Sequence, residues 1–335
     1  MIERHYSFII PVYNRPEEME ELLESLSEME GDFEVIIIED GSQDSSEEVV
    51  SKFNTKLNIS YYFKENTGPG DSRNYGMRKA KGNYFIILDS DVIVPSAYLK
   101  TVNDHLSSQY LDCYGGGDKS QDSFTDTQKA IDYAMTSFLT TGGIRGSAHS
   151  RLSKTYEPRS FNMGISKAAF IESGGFGVIH PGEDPDLSIR LKKQNFKVGY
   201  IDDAFVFHKR RVDFLKFSSQ VNKFGLVRPI LLKRYPETNK ITYWFPFFYL
   251  LFLIVGVVLL FFELHFVIYF YVLYNFLILI DSTMNYKTIK IGLLSVISTN
   301  IQFFSYGSGF IKSYYFIHIL KKKPQLIFPQ LFFSQ

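Results

Sequence analysis

The chain has 335 residues, with 36 Lys and Arg balanced by 36 Asp and Glu, for a formal net charge of zero. That balance gives no electrostatic footprint for a nucleic-acid partner and leaves no acidic or basic tail. The single cysteine, Cys113, excludes an internal disulfide and fits a reducing compartment, with a packed thiol as its ordinary role.

Tyr6–Val12 is a short apolar run ending in Pro-Val-Tyr-Asn-Arg-Pro, which predicts a buried strand feeding a loop. Pro16 suits the first turn of a helix. Met19, Leu22, Leu23, Leu26 and Met29 then recur at three- and four-residue spacing between glutamates, the pattern of an amphipathic helix laid on a sheet. Residues 33–38 form the next apolar run and stop at Glu39-Asp40-Gly41-Ser42, and residues 59–63 are a third strand. A helix over 71–81 leads into Tyr84–Leu88, which stops at Asp89-Ser90-Asp91. Strands and helices that alternate in this way, with continuous apolar strands, predict the α/β class: a mostly parallel mixed sheet covered on both faces. Ligands of such sheets bind at the carboxyl ends of the strands. Here those ends carry Tyr13-Asn14, Asp40 and Asp89-Ser90-Asp91, so polar groups converge on one rim.

Asp89 and Asp91 put two carboxylates directly after a buried strand. Such hard oxygen ligands suit Mg²⁺ or Mn²⁺, with substrate phosphates completing the shell, although an Asp-x-Asp pair also serves as a plain acidic turn. Asp40 could accept a base N–H while Gly41 lets the chain turn closely past a ligand; Ser42, Asp44 or Ser45 can cap the next helix, which leaves Asp40 free for that role. Asn66-Thr67-Gly68-Pro69-Gly70 precedes the helix bearing Arg73, whose fork suits phosphate or a base carbonyl. Farther on, Glu183, Asp184 and Asp186 open a helical pattern. Acidic residues there favour the helix dipole, but three carboxylates in four positions exceed what a cap needs, and one can serve as a general base. His208 closes the run 204–207 and is a candidate metal ligand, phosphate contact or core histidine.

Composition shifts sharply near Pro236. Between residues 244 and 280 the only ionisable groups are Glu263, His265 and tyrosine hydroxyls. A run of this length exceeds one crossing of roughly 20 residues and suits two, with the break near Glu263-Leu264-His265. A third segment over 291–311 either spans or lies at the interface. The first residues lack the apolar stretch of a signal peptide, and Lys233, Arg234, Lys240, Lys287 and Lys290 flank the apolar run. The expected arrangement is therefore a globular domain over 1–235 on the cytoplasmic side of the plasma (inner) membrane. A multi-pass anchor of two or three hydrophobic helices then covers 241–320.

The ordered set Phe8-Ile-Ile-Pro-Val-Tyr-Asn14, Val35-Ile-Ile-Ile-Glu-Asp-Gly-Ser42, Asn66-Thr-Gly-Pro-Gly70, Ser72-Arg-Asn-Tyr-Gly76, Leu88-Asp-Ser-Asp91, Asn162-Met-Gly164 and Gly182-Glu-Asp184 resembles the family 2 inverting glycosyltransferases of GT-A fold. The resemblance covers residues 7–224. It implies a nucleotide-sugar donor, with Pro11, Tyr13 and Asp40 on the nucleobase and Arg73 nearby. It also implies Asp89 at the ribose or the hydration shell of a Mg²⁺ or Mn²⁺ ion, Asp91 as metal ligand, Asp184 as catalytic base and His208 at the metal or diphosphate. Thr141-Gly-Gly-Ile-Arg-Gly146 and Arg210-Arg211 are similar to the membrane-attached bacterial branch engaged in exopolysaccharide assembly, which implies a lipid-linked or saccharide acceptor. Processive members carry a Gln/Arg-x-x-Arg-Trp motif after the base. The only tryptophan here is Trp244, within Lys240-Ile-Thr-Tyr-Trp, so transfer of one sugar per encounter is the expectation. The alternatives are a processive polysaccharide synthase, a catalytically silent GT-A scaffold and a sugar nucleotidyltransferase, for which the first strand lacks a Gly-rich basic signature.

Overall fold

The computed structural model describes residues 3–119, 124–143, 156–208 and 213–333. Contacts divide the chain into two compact units that interleave in sequence. The first comprises residues 1–121, 151–209 and 332–335; the second comprises 122–150 and 210–331.

The first unit is an α/β layer structure around an eight-stranded mixed sheet ordered β3-β2-β1-β4-β7-β6-β8-β5. Its parallel half is β1 (Tyr6–Val12), β2 (Phe33–Asp40), β3 (Ile59–Lys64) and β4 (Tyr84–Leu88), all paired in register with their carboxyl ends aligned. β5 (Val92–Ile93), β6 (Cys113–Lys119), β7 (Asn162–Ser166) and β8 (Val198–His208) continue the sheet. Antiparallel β7 lies between β4 and β6, and β5 pairs antiparallel with β8. The central strands are apolar throughout because both faces are covered. On one face the helix Pro16–Ser27 buries Met19, Leu22, Leu23 and Leu26 completely against Phe8, Ile10 and Val35. Each such side chain contributes about 1.5–3 kcal/mol of burial. On the other face Ile9, Ile36 and Ile38 meet Met77 of the helix Pro69–Lys79 and Leu187 and Leu191 of the helix Glu183–Lys193. Asn162, the first residue of the Asn-Met-Gly motif, is fully buried and laces strands together. Its Nδ2 donates to the Gly117 and Ala204 carbonyls at 3.0 and 2.9 Å, and its Oδ1 accepts from Tyr98 Oη.

The second unit is helical. The helix Ile289–Tyr314, the ambiguous third segment, is its hub and packs on Asp126–Thr136, Phe214–Arg234, Phe245–Leu260 and Phe266–Tyr286. Small residues let backbones approach: a Cβ on Gly225 would lie 2.2 Å from the Tyr306 carbonyl, and one on Gly309 would lie 2.5 Å from that of Asn222. The helix Phe214–Arg234, which the composition boundary at 235 assigns to the globular domain, clusters with these later helices. Among the described residues one helix, Phe266–Tyr286, is long and apolar enough to cross a membrane, and Phe245–Leu260 is a shorter apolar one. The break between them falls at residues 261–265, as expected from Glu263 and His265. Of the two or three hydrophobic helices expected, one meets this measure of length and composition; Phe245–Leu260 falls short in length, and Ile289–Tyr314 carries Ser295, Ser298, Thr299 and Asn300 along its buried and half-buried faces.

Candidate active site

The rim predicted from the sequence exists. In register, Val12 stands beside Glu39 and Asp40 beside Lys64, so Tyr13, Asp40 and the segment after β4 leave the sheet at one end. Tyr13 is half exposed at this rim, while the Asp40 side chain is nearly covered. Asp40 is engaged rather than left free for a ligand. Its Oδ1 accepts from the Thr67 N–H at 3.1 Å and its Oδ2 from the Gly68 N–H at 3.0 Å, and Lys64 pairs with Oδ1. It holds the Thr67–Gly68 turn, where Gly68 has φ +92°, a conformation that favours glycine. Pro11 is only partly covered at the end of β1.

Arg73, near the middle of its helix, is buried and lies behind the acidic groups. It bonds Asp89 Oδ1 at 2.8 Å and Glu183 Oε1 at 3.2 Å, with its guanidinium 5.3 Å from the Phe176 ring. Its pKa is raised: burial alone would lower it, but Asp89, Asp184 and Glu183 outweigh burial. Asp91 pairs with Arg15, the residue that ends the Pro-Val-Tyr-Asn-Arg loop. His208 is placed by its backbone alone, opposite Val92 and hence one residue past Asp91; its side chain lies outside the described residues.

Glu183, Asp184 and Asp186 open their helix as predicted, with Gly182 at the N-cap. The first and last do more than favour the helix dipole. Glu183 is buried between Arg73 and His180, whose Nδ1 lies 2.8 Å from Oε1, and Asp186 bonds Arg190 at 3.0 Å. Burial tends to raise the Glu183 pKa, yet His180 and Arg73 hold it down at about 2. Asp184 behaves oppositely. Burial first, and the Glu183 charge second, push its pKa up to about 6 against the pull of Arg73 and Arg159. Its Oδ2 accepts from the Ser160 N–H at 3.1 Å, while its covered Oδ1 has no hydrogen-bond partner among the described residues. Two adjacent carboxyls with pKa values driven apart is the arrangement by which a site separates a fixed charge from a working base.

Sequence reasoning missed Arg15, Lys64, His180 and Ser160. Arg15 had a signal, since it shares the rim loop with Tyr13. The other three had none, because their partners lie 24 residues or more away or, for His180, within an irregular turn. The stretch Thr141–Gly146 and the pair Arg210-Arg211, on which the exopolysaccharide branch was read, lie mostly outside the described residues, the exceptions being Thr141, Gly142 and Gly143.

Among the described residues no group of three or more His, Cys, Asp and Glu side chains lies close enough to hold a metal by itself. Asp89 and Asp91 still supply the hard oxygen donors that Mg²⁺ or Mn²⁺ takes when substrate phosphates complete its shell.

A mixed sheet with a parallel half, an acidic rim at its carboxyl ends and a second acidic group on a helix beyond β7 defines a GT-A-like α/β domain. The sequence pattern of glycosyl transferase family 2 matches residues 7–174, half of the chain, and the chain belongs to that family. Over 86 residues it is 42% identical to an uncharacterised glycosyltransferase of Rickettsia bellii, covering 25% of this chain and 12% of that protein. Over 112 residues it is 31% identical to the poly(ribitol-phosphate) beta-N-acetylglucosaminyltransferase TarS of Staphylococcus aureus, covering 32% and 20%. Over 220 residues it is 24% identical to the glycosyltransferase GlyA of Streptococcus pneumoniae, covering 63% and 31%. The chain thus spans less than a third of the length of these relatives. Among solved structures, the mannosyltransferase PcManGT from Pyrobaculum calidifontis in complex with GDP-Man and Mn²⁺ matches with TM-score 0.53 and 15% identity, over 67% of this chain and 63% of that one. S. aureus TarS 1–349 in complex with UDP-GlcNAc matches with TM-score 0.50 and 20% identity, over 68% and 66%. At these identities the likeness is one of fold. The family match ends before Asp184, so the base candidate rests on the resemblance and on its own geometry.

Proposed function

We propose that this chain transfers a single sugar from a nucleotide-sugar donor, a UDP-sugar in the first instance, to a hydroxyl of a lipid-linked saccharide or polysaccharide precursor, with inversion at the anomeric carbon. The observation that carries the reading is Asp184, a carboxyl whose pKa is pushed up to about 6 and whose covered Oδ1 has no hydrogen-bond partner among the described residues, beside a charged Glu183–Arg73–Asp89 chain. A base poised near neutrality takes a proton in the transition state while remaining ionised at rest. Asp184 receives the acceptor hydroxyl proton as that oxygen bonds the anomeric carbon. The bond from carbon to the diphosphate breaks on the opposite face, and the diphosphate leaves with the electron pair.

Pro11 and the exposed Tyr13 ring would hold the nucleobase, with Asp40 acting through the Thr67–Gly68 turn that it holds. Arg73 would act from behind, fixing Asp89 toward the ribose. Asp91 would ligate Mg²⁺ or Mn²⁺ with His208 in support, since both leave the sheet at adjacent backbone positions. A divalent cation bound there would neutralise the charge gathering on the departing diphosphate. The neighbours in fold include one in complex with GDP-Man and Mn²⁺ and one with UDP-GlcNAc, which favours a nucleotide-sugar donor and a divalent metal here as well.

The reading includes a catalytic α/β unit on the cytoplasmic side of the inner membrane and an anchor over 241–320. In its favour, the helices Phe245–Leu260 and Phe266–Tyr286 expose Phe248, Phe252, Phe270 and Phe276. They turn polar groups inward: Asn300 accepts from Tyr249 Oη at 2.8 Å and Tyr271 Oη at 2.6 Å and donates to Asn275. Apolar outside with hydrogen-bonded polar groups inside is the pattern of helices solvated by lipid. The deciding experiment incubates the detergent-purified chain with a panel of UDP- and GDP-sugars, with and without Mn²⁺, and follows donor hydrolysis and transfer to a lipid-linked saccharide. No turnover of any donor would refute the assignment.

A further inference from the structure

The last described residues return to the first unit and pack beside the Thr67–Gly68 turn. Phe332 bridges Ile179 in antiparallel fashion, and the Phe333 N–H donates to the Val178 carbonyl at 3.0 Å. These backbone contacts fix where the Phe333 ring goes. On one side it covers Gly68 so closely that a Cβ there would lie 2.4 Å from a ring carbon. Its centroid also stands 5.9 Å from that of His180. Gly68 donates its N–H to Asp40, and His180 bonds Glu183, the neighbour of Asp184. One aromatic ring therefore touches both the turn that Asp40 holds and the histidine beside the base.

We propose that Phe333 is a positioning residue of the donor site: its ring pins the Thr67–Gly68 turn onto Asp40 and so sets the affinity for the nucleotide end of the donor. The proposal rests on the function proposed above. The physical basis is pre-organisation. A Gly at φ +92° has the widest backbone freedom of any residue, and its turn is held by two N–H bonds to one carboxylate. Covering the glycine with a ring removes the alternatives, so the cost of ordering the turn is not charged to ligand binding. Phe333 acts through Asp40 and the turn, not on the reacting atoms. Its loss should therefore appear in donor binding and leave the chemical step alone.

The test uses the full chain in detergent and the variants F333A, F333L and F333Y. F333A is expected to raise the donor KM and the UDP Kd by about tenfold, with kcat changed by less than about twofold. F333Y keeps the ring and should restore both constants, with F333L intermediate. Hydrogen exchange gives a reading independent of activity: the Thr67 and Gly68 amides should exchange faster in F333A than in wild type, with the strand amides of Tyr6–Val12 unchanged. If F333A does not fold, F333L carries the same comparison. Unchanged KM and Kd in a folded F333A or F333L, unchanged exchange at Thr67 and Gly68, or a fall in kcat at constant KM would overturn the proposal. A wild-type chain that binds neither UDP nor GDP would instead overturn the proposed function. The exchange comparison would then decide whether Phe333 holds the turn.

Discussion

Replacing Asp184 by Asn separates the charge of this carboxyl from its shape, and the structure allows both consequences to be worked out. Asn can still accept from the Ser160 N–H through its Oδ1, so the local backbone bond survives. The catalytic consequence is loss of the proton acceptor, and general-base assistance contributes about 10²–10⁴-fold, so kcat should fall by that factor with little change in donor affinity. The stability consequence has the opposite sign. The Asp184 pKa stands at about 6 in the folded chain against an ordinary 3.8, because burial and Glu183 disfavour its charge. A carboxyl that binds its proton more tightly when folded favours the fold below the unfolded pKa, and that advantage disappears as pH rises through the folded value. The gap, at about 1.4 kcal/mol per pH unit, makes ionised Asp184 a liability of at most about 3 kcal/mol above neutrality. D184N should therefore be more stable than wild type at pH 8, and the difference should shrink toward zero near pH 4. Over the same window wild-type kcat should decline below about pH 6 by about tenfold per pH unit, while the residual rate of the variant lacks that limb. Single-turnover rates with saturating substrates and urea unfolding, each across pH 4–8, measure the two effects. Near-wild-type turnover in D184N, or a stability difference that does not vary with pH, would refute the reasoning.

D91N should abolish Mn²⁺-dependent UDP binding measured by calorimetry while leaving the fold intact, since Asp91 stands at the rim rather than in the core; unchanged binding would remove it from the metal site. R73A should destabilise the chain by about 3–5 kcal/mol in denaturant unfolding, because it leaves the buried Glu183 and the partner Asp89 without their shared cation. A loss below about 1 kcal/mol would mean that the pairs are worth no more than surface ones. The chain should sediment with membranes and resist an alkaline carbonate wash, and removing residues 245–286 should release it. Recovery of the intact chain in the wash would contradict an inserted hairpin.

The parallel half of the sheet was legible in the sequence almost to the residue. Tyr6–Val12 and Tyr84–Leu88 are apolar runs closed by loop residues, and a strand buried on both faces needs no information beyond its own side chains. Pro16 and the spacing of Met19, Leu22, Leu23 and Leu26 specified a helix and its buried face by the same local logic. The acidic rim followed, because the ends of parallel strands must share one edge. The break at Glu263 was likewise local, since a charge in an apolar run has to find a polar boundary. Pairing was not local. That Arg73 joins Asp89 to Glu183, 110 residues away, that Arg15 meets Asp91, and that Asp40 is committed to the Thr67–Gly68 turn depend on which loops the closed sheet brings together. Nor could periodicity show that Ile289–Tyr314 is a hub, since its glycines and serines acquire meaning only against the helices they touch. Apolar runs and their spacing along single segments specified the parallel strands, the first helix and the rim, while the family resemblance singled out Asp184 among Glu183, Asp184 and Asp186. The tertiary structure alone decided which carboxyl stays charged and which is pushed toward neutrality, because burial and neighbouring charge belong to the assembled site and not to any stretch of chain.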